Sequence, residues 1–242
     1  MKILFFYLRP GPVYLYALLT VFLCLGALGV EAASARAYQA QILMSEPGLS
    51  PRVCGKAAVS GQRARLDIDL GQAGYFSAFI QLDNKVMFIL AEKLGAFVEI
   101  PLGGHERTMF DLVLSFTRAA TVYGVPMLSI LPDTQKDLGQ SSFQGYRVFG
   151  RQDRFQVVFV GNTSLIELVY LENQDFQPLP LKISEVSPNS QSAAGVTYTG
   201  NSVELTNIVE RAVAAEELEL PSGVARLNSV FELLLYAVSS QL

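Results

Sequence analysis

The sequence of 242 residues contains one histidine, His105, and no tryptophan. An imidazole can act as a general base in catalysis. His105 stands between Gly104 and Glu106, however, a glycine-rich context typical of the entry to a helix. A zinc site built on histidines needs more than one imidazole, so the composition excludes it. We therefore interpret His105 as a structural residue.

Other catalytic residue types occur without the spacing that catalysis requires. The Gly-x-Ser-x-Gly turn of hydrolases and the phosphate-binding loop are absent from the sequence, and a lone Gly-Gly pair is too weak to indicate a phosphate site. Asp67 and Asp69 alternate with Arg63 and Arg65, as solvated charges on one face of a strand do. We predict that the protein is not an enzyme and has neither a metal site nor a cofactor.

The first 35 residues have the pattern of an export signal. A basic start precedes an uncharged apolar stretch at residues 13–30, and Ala33-Ser34-Ala35 fits the small-x-small cleavage pattern. We predict cleavage before Arg36 and a periplasmic mature protein, with cleavage after Ala32 as an alternative site. Since 18 apolar residues lie near the lower limit for crossing a bilayer, an uncleaved N-terminal membrane anchor is the alternative localisation.

The composition favours a folded domain that does not bind nucleic acid. The chain has 18 Lys and Arg against 22 Asp and Glu, a formal net charge of -4 and no long basic run. Half of the residues are hydrophobic and only 17% are charged, which predicts a core rather than disorder. Cleavage removes Cys24 and leaves Cys54 without a disulfide partner, so we interpret Cys54 as a small buried strand residue.

Period-two patterning of apolar and polar residues dominates positions 36–242 and predicts antiparallel strands. Residues 62–70 alternate without error. Short turns join them to neighbouring strands, which predicts a meander. The first run comprises residues 53–59, 62–70, 75–82, 85–91 and 95–100, and the second comprises 146–149, 155–160, 164–172, 181–186, 196–199 and 203–208.

Two segments have helical spacing instead. Residues 106–120 place Met109, Leu112 and Phe116 on one stripe, which predicts an amphipathic helix that crosses the sheet. Residues 224–238 repeat the pattern with Leu227 and Leu234. We therefore expect a C-terminal helical tail at 224–242.

Several predicted strands are apolar on both faces, and residues 86–90 contain no polar position. An antiparallel strand of this kind must be covered on both sides or must face an apolar ligand. The side chains that we expect to line such a ligand cavity are Phe76, Ile80, Val86, Phe88, Leu90, Phe155, Val157 and Phe159. The alternative is an ordinary core that the two predicted helices seal.

The order of these elements resembles the LolA-like periplasmic lipoprotein-carrier family, which includes the LolB and LppX types. The matching stretches are Gly55-Lys56 with residues 61–65, then 79–90, 95–102, 145–148, 176–183 and 203–208, and the closing Pro221-Ser222-Gly223. The resemblance spans roughly residues 38–224. It implies a mostly β (α+β) single domain at 36–242, an antiparallel unclosed barrel with helices covering the concave face. It also implies a lipid or a lipoprotein acyl chain as the partner, held in that cavity.

In the family pattern an arginine occupies the strand that holds Arg65, so the resemblance implies a structural role for it. Arg65 would pair with a carboxylate or a backbone carbonyl and hold the barrel, and the alternative is an exposed arginine. A second functional hypothesis is a structural or interaction module of the cell envelope. Its own helices would fill the cavity, and its apolar tail would dock on an envelope protein.

Overall fold

The computed structural model describes residues 36–69, 71, 74–102, 128–159, 162–186, 191–192, 195–196, 201–228 and 232–233. The predicted export signal, His105 and the predicted helix at 106–120 lie outside these residues. Among the described residues, no helix is long and apolar enough to cross a membrane.

The first half of the described chain is an antiparallel meander of six strands. They are β1 (Tyr38–Ser45), β2 (Arg52–Ser60), β3 (Arg63–Asp69), β4 (Tyr75–Gln81), β5 (Val86–Ala91) and β6 (Ala96–Pro101). Tight turns set the register between them. Gly61 adopts a φ of 60° between β2 and β3, and Gly95 adopts a left-handed conformation after the 3-10 turn Glu92–Leu94. A residue with a Cβ would be strained in this conformation. This meander confirms the first predicted strand run and adds β1.

The second half is built on long strands. They are β7 (Leu128–Phe143), β8 (Tyr146–Phe159), β9 (Asn162–Glu172), β10 (Lys182–Val186) and β13 (Ser202–Glu210), with a small hairpin of β11 (Gln191–Ser192) and β12 (Gly195–Val196). The sequence pattern did not predict β7. Its pairing register with β8 shifts near Pro132 and again near Gly139, and these bulges interrupt the period of two that identifies a strand.

Strand β13 joins the two halves into one sheet. With the short strand β14 (Ala225–Arg226), the order is β14-β6-β5-β4-β3-β2-β1-β13-β10-β9-β8-β7. Neighbours pair antiparallel except for β14, which runs parallel to β6. The edge strands β7 and β14 are not neighbours, so the sheet is unclosed. The prediction of a mostly β, unclosed antiparallel sheet is therefore confirmed.

The apolar core lies against one side of this sheet, which we call the core face. In the meander it is marked by a row of direct cross-strand partners: Ala57, Leu66, Ala78, Ile89 and Val98. The opposite side, which we call the outer face, is marked by the adjacent row Arg65, Phe79, Phe88 and Glu99. Directly opposed residues in a sheet point the same way, so these rows fix which side chains share a face.

The described residues do not include helices that cover the core face. Only Glu232 and Leu233 are α-helical among them, whereas residues 225–226, inside the predicted tail helix, form β14. The N–H groups of Ala225 and Leu227 donate to the carbonyl oxygens of Gly95 and Phe97 at 2.9 and 2.7 Å. The open edge of β6 thus supplies acceptors that outweigh the helical spacing of this segment.

Candidate functional site

The core face is a continuous apolar surface that extends beyond the meander. A row of direct cross-strand partners runs from Met44 through Val203, Ile183 and Tyr170 to Arg151. All of these except Arg151 belong to one buried apolar cluster. The described residues outside the main strands that add to this cluster are Leu102 after β6, the helical residue Leu233, and Phe176, Leu179 and Leu181 of the β9–β10 connection. The core face therefore spans both halves of the sheet.

A small cavity lies in the middle of the core face. Its volume is about 20 Å³, and Ile42, Leu66, Leu179, Val203 and Leu205 are among the residues that line it. This volume corresponds to a single water molecule rather than to an acyl chain. The central part of the core face is therefore closed in this structure.

The eight predicted lining residues do not share one surface. Phe76 and Ile80 lie on the core face, opposite Ala91 and Met87, and Phe155 is buried in the core cluster. Val86, Phe88 and Leu90 lie on the outer face, because they pair with Gln81, Phe79 and Ser77. Val157 and Phe159 belong to the backbone of β8, and their side chains lie outside the described part of the structure.

The register of the β4–β5 hairpin explains this separation. Both strands are apolar on both faces, so the sequence alone does not indicate which set points inward. The turn at residues 82–85 places Ile80 opposite Met87 and thereby assigns Met87, Ile89 and Ala91 to the core face. Val86, Phe88 and Leu90 therefore cannot line the same cavity as Phe76 and Ile80.

The outer face carries a second apolar layer, which we call the outer apolar patch: Phe79, Phe88, Leu90 and Phe97. Phe79 and Leu90 are 0% and 1% exposed. The rings of Phe88 and Phe97 meet edge to face with centroids 5.8 Å apart. This patch explains the two-sided apolar pattern of β5, since one side of the strand faces the core and the other side belongs to the patch.

Arg65 lies on the outer face beside a carboxylate. Its Nε is 2.7 Å from Oδ1 of Asp67, and its guanidinium lies 5.1 Å from the ring centroid of Phe79. The Nζ of Lys56 is 3.5 Å from the other oxygen of Asp67. Ser77 Oγ lies 2.6 Å from Asp67 Oδ1. Arg65 thus belongs to a charged network on the outer side of the sheet.

A polar cluster on the core face was not predicted. It comprises Arg151 and Asp153 on β8 with Tyr170 and Glu172 on β9, and we call it the β8–β9 polar cluster. Arg151 Nε is 3.4 Å from Asp153 Oδ2, and Arg151 Nη2 is 3.4 Å from Glu172 Oε1. The guanidinium lies 5.4 Å from the centroid of the Tyr170 ring. One guanidinium therefore lies between two carboxylates at the margin of an apolar surface.

Burial changes the acidity of one carboxyl group in this cluster. Asp153 is 0% exposed. Burial raises the pKa of Glu172; Arg151 opposes this effect, and the nearby Asp153 adds to it. The sequence signal was present as the alternation of Arg151, Asp153 and Phe155, but the predicted strands ended at residue 149 and resumed at residue 155.

Two further groups on the core face are structural. Tyr38 Oη donates a hydrogen bond of 2.6 Å to the carbonyl of Phe176, and burial raises the pKa of this phenol. Cys54 is buried, as predicted. Burial also raises the pKa of its thiol. The described residues contain no group of three or more His, Cys, Asp or Glu side chains that could hold a metal ion.

No protein-family model and no curated protein matches the chain. Among solved structures, PNGF-II in a C2 crystal form is 11% identical over 85% of this chain, with a TM-score of 0.45. LprF from Mycobacterium bovis is 12% identical, with 77% of this chain and 90% of that chain covered and a TM-score of 0.28. The chain spans about a third of the length of PNGF-II. These matches assign neither a family nor an activity.

Proposed function

We propose that the protein binds the apolar chain of a lipid or of a lipoprotein acyl group on the core face, without enzymatic activity. The observation that carries this proposal is the combination of an unclosed sheet with an apolar face that crosses both halves. An open sheet cannot bury such a face by pairing its own edges, so another layer must cover it. An acyl chain is one such layer, and the resemblance to LolA-like carriers agrees with it.

The energetics of this binding follow from buried area. Each methylene transferred from water to an apolar surface contributes about 0.8 kcal/mol. The central cavity of about 20 Å³ is too small for a chain, so binding requires the covering segments to separate from the core face. Phe76, Ile80 and Phe155 remain candidate lining residues in this proposal, whereas Val86, Phe88 and Leu90 do not.

We propose further that residues 1–35 direct export to the periplasm. The support is the apolar stretch at 13–30 followed by the small residues 32–35. Mass spectrometry of the protein recovered from an exporting bacterial host tests this proposal. We expect a mature chain that begins at Arg36, and an intact N-terminus in the membrane fraction would favour the anchored alternative.

The ligand proposal is tested with cis-parinaric acid, a fluorescent fatty acid, and with mass spectrometry of organic extracts of gently purified protein. We expect saturable parinaric acid binding and a co-purifying lipid. Val203→Leu adds one methylene at the central cavity. Because this methylene fills the cavity and stabilises the closed core face, binding should weaken on the order of fourfold. Val86→Leu makes the same change on the outer face and should leave binding unaltered. Equal effects of the two variants would contradict binding on the core face.

The second candidate function is a structural or interaction module of the cell envelope, with an envelope protein as the partner. The small cavity and the near-complete burial of the core face favour it. In that case the protein would bind no parinaric acid and its extracts would contain no lipid.

A further inference from the structure

The chain that follows β13 crosses the outer face, and we call residues 211–228 the strap. It starts beside β1, where the N–H of Arg211 donates to the carbonyl of Ala37. It then passes the beginning of β3, where Glu219 lies 3.3 Å from Arg63. It ends at the edge of the sheet, where β14 pairs with β6. The strap therefore spans the meander from β1, in the middle of the sheet, to β6 near the sheet's edge.

Two described residues after β14 contact the core cluster: Leu227 packs against it and Leu233 belongs to it. The backbone N–H of Asn228 donates to the carboxylate of Glu232 at 2.9 Å, which ties the end of the strap to the helical residues 232–233. Leu233 is 1% exposed and belongs to the buried core cluster. One continuous segment thus begins on the outer face and ends with an apolar side chain in the core.

The strap is attached by few strong contacts. Among its described residues, Leu218 alone is buried. Its ion pairs to the sheet are Arg63–Glu219 and Arg226–Glu99, at 3.3 and 3.1 Å, and the pair Arg211–Glu217, at 3.7 Å, lies within the strap. All of them involve exposed side chains, and pairs of this kind contribute little and are screened by salt. Strand β14, within the strap, is two residues long and pairs only with β6. Strand β13, which precedes the strap, is nine residues long and pairs with both β1 and β10.

This contrast indicates a segment that opens locally without unfolding of the sheet. Segments with few buried apolar contacts and exposed backbone hydrogen bonds open at a fraction of the global stability. Release of the strap would withdraw the segment that carries Leu233 from the core cluster.

We propose that the strap and Leu233 form a detachable clasp that holds the core face closed and whose release admits the apolar chain. The ligand part of this inference rests on the proposed function, whereas the clasp itself does not.

Amide hydrogen exchange tests the clasp without any ligand. We expect the N–H groups of Ala225 and Leu227 to exchange at least about 100-fold faster than those in the paired centres of β1 and β13. Added salt should increase the difference, because it screens the ion pairs of the strap. Exchange of strap and central strands at the same rate, through global unfolding alone, would overturn the clasp.

Parinaric acid binding tests what the clasp controls. Glu219→Lys places a positive charge beside Arg63 and should raise the open population and the apparent affinity by the same factor, on the order of fivefold. Glu216→Lys makes the same charge change on the 3-10 turn Ala215–Leu218 of the strap. Glu216 is exposed, and the described part of the structure gives it no ion pair. This variant should leave both exchange and affinity unaltered.

The two proposals fail in different ways. Fast strap exchange with no parinaric acid binding in any variant would retain the clasp and reject the ligand. Parinaric acid binding that Glu219→Lys does not change, together with uniform exchange, would retain the ligand and reject the clasp.

Discussion

Two arginine–aspartate pairs with the same spacing lie on opposite faces of the sheet. Arg65 and Asp67 occupy alternate positions of β3 on the outer face, and Arg151 and Asp153 occupy alternate positions of β8 on the core face. In both pairs the guanidinium lies over an aromatic ring of the next strand, at 5.1 and 5.4 Å from the centroid. The two regions therefore share the Arg-x-Asp spacing and an aromatic ring beside the guanidinium.

The surroundings of the two aspartates differ. Asp67 lies close to Lys56 and Ser77 in addition to Arg65. On the core face, Arg151 lies between Asp153 and Glu172 and close to apolar residues. The two pairs therefore share a spacing but differ in surroundings, because Arg65 shares Asp67 with Lys56 and Ser77 whereas Arg151 lies beside two carboxylates.

Arg151→Met and Arg65→Met should separate the two pairs most clearly. Arg151→Met removes the guanidinium that lies beside both Asp153 and Glu172 and should lower the free energy of unfolding by about 3–5 kcal/mol. Arg65→Met should lower it by about 1 kcal/mol, because Asp67 keeps Lys56 and Ser77. Urea unfolding measures both, and equal losses would show that the two faces do not differ in this respect.

Neighbouring positions of β5 test the same division for apolar side chains. Met87 points into the core and Phe88 lies half-buried in the outer apolar patch. Met87→Ala should lower the free energy of unfolding by about 2–5 kcal/mol through a cavity in the core. Phe88→Ala should lower it by about 1 kcal/mol and should not change parinaric acid binding. A larger loss for Phe88→Ala in the same urea titration would reverse our assignment of the faces.

Glu172→Gln tests the effect of burial on the β8–β9 polar cluster. The pKa of Glu172 is raised in the folded protein. At pH values just above the usual pKa of a carboxyl group, the folded state therefore binds more protons than the unfolded state. The contribution of Glu172 to stability is therefore greatest at acid pH and is lost as pH rises through the folded pKa. Glu172→Gln should remove this component of the pH profile of unfolding. Glu167→Gln changes a glutamate on the outer face of the same strand and should retain the component.

The last comparison, at β2, concerns access to solvent rather than stability, because adjacent residues of this strand differ in exposure. Cys54 is buried with a raised thiol pKa, and Val53 is 55% exposed. Iodoacetamide should modify Cys54 slowly in the native protein and quickly in urea, as read by mass spectrometry at this residue. A Val53→Cys variant should react quickly at position 53 in both conditions. Fast native labelling of Cys54 would place this strand position outside the core.

The sequence alone was sufficient for the local architecture. Alternation within residues 62–70 and the turn at residues 82–85 predict paired strands, because both depend on neighbours in the chain. The same reasoning did not find β7, whose bulges break the alternation. It predicted a helix where the unpaired edge of β6 instead recruits β14.

The tertiary structure alone decided the faces of the strands that are apolar on both sides. The grouping of Phe76 with Phe88 failed because each lies on an apolar strand, and only the pairing of Ile80 with Met87 separates them. Likewise, Arg65 and Arg151 share the Arg-x-Asp spacing, yet cross-strand partners place Arg151 on the core face and Arg65 on the outer face. Alternation along a strand establishes that two sets of side chains point in opposite directions. Which set is buried depends on distant strands and on the segments that pack over them.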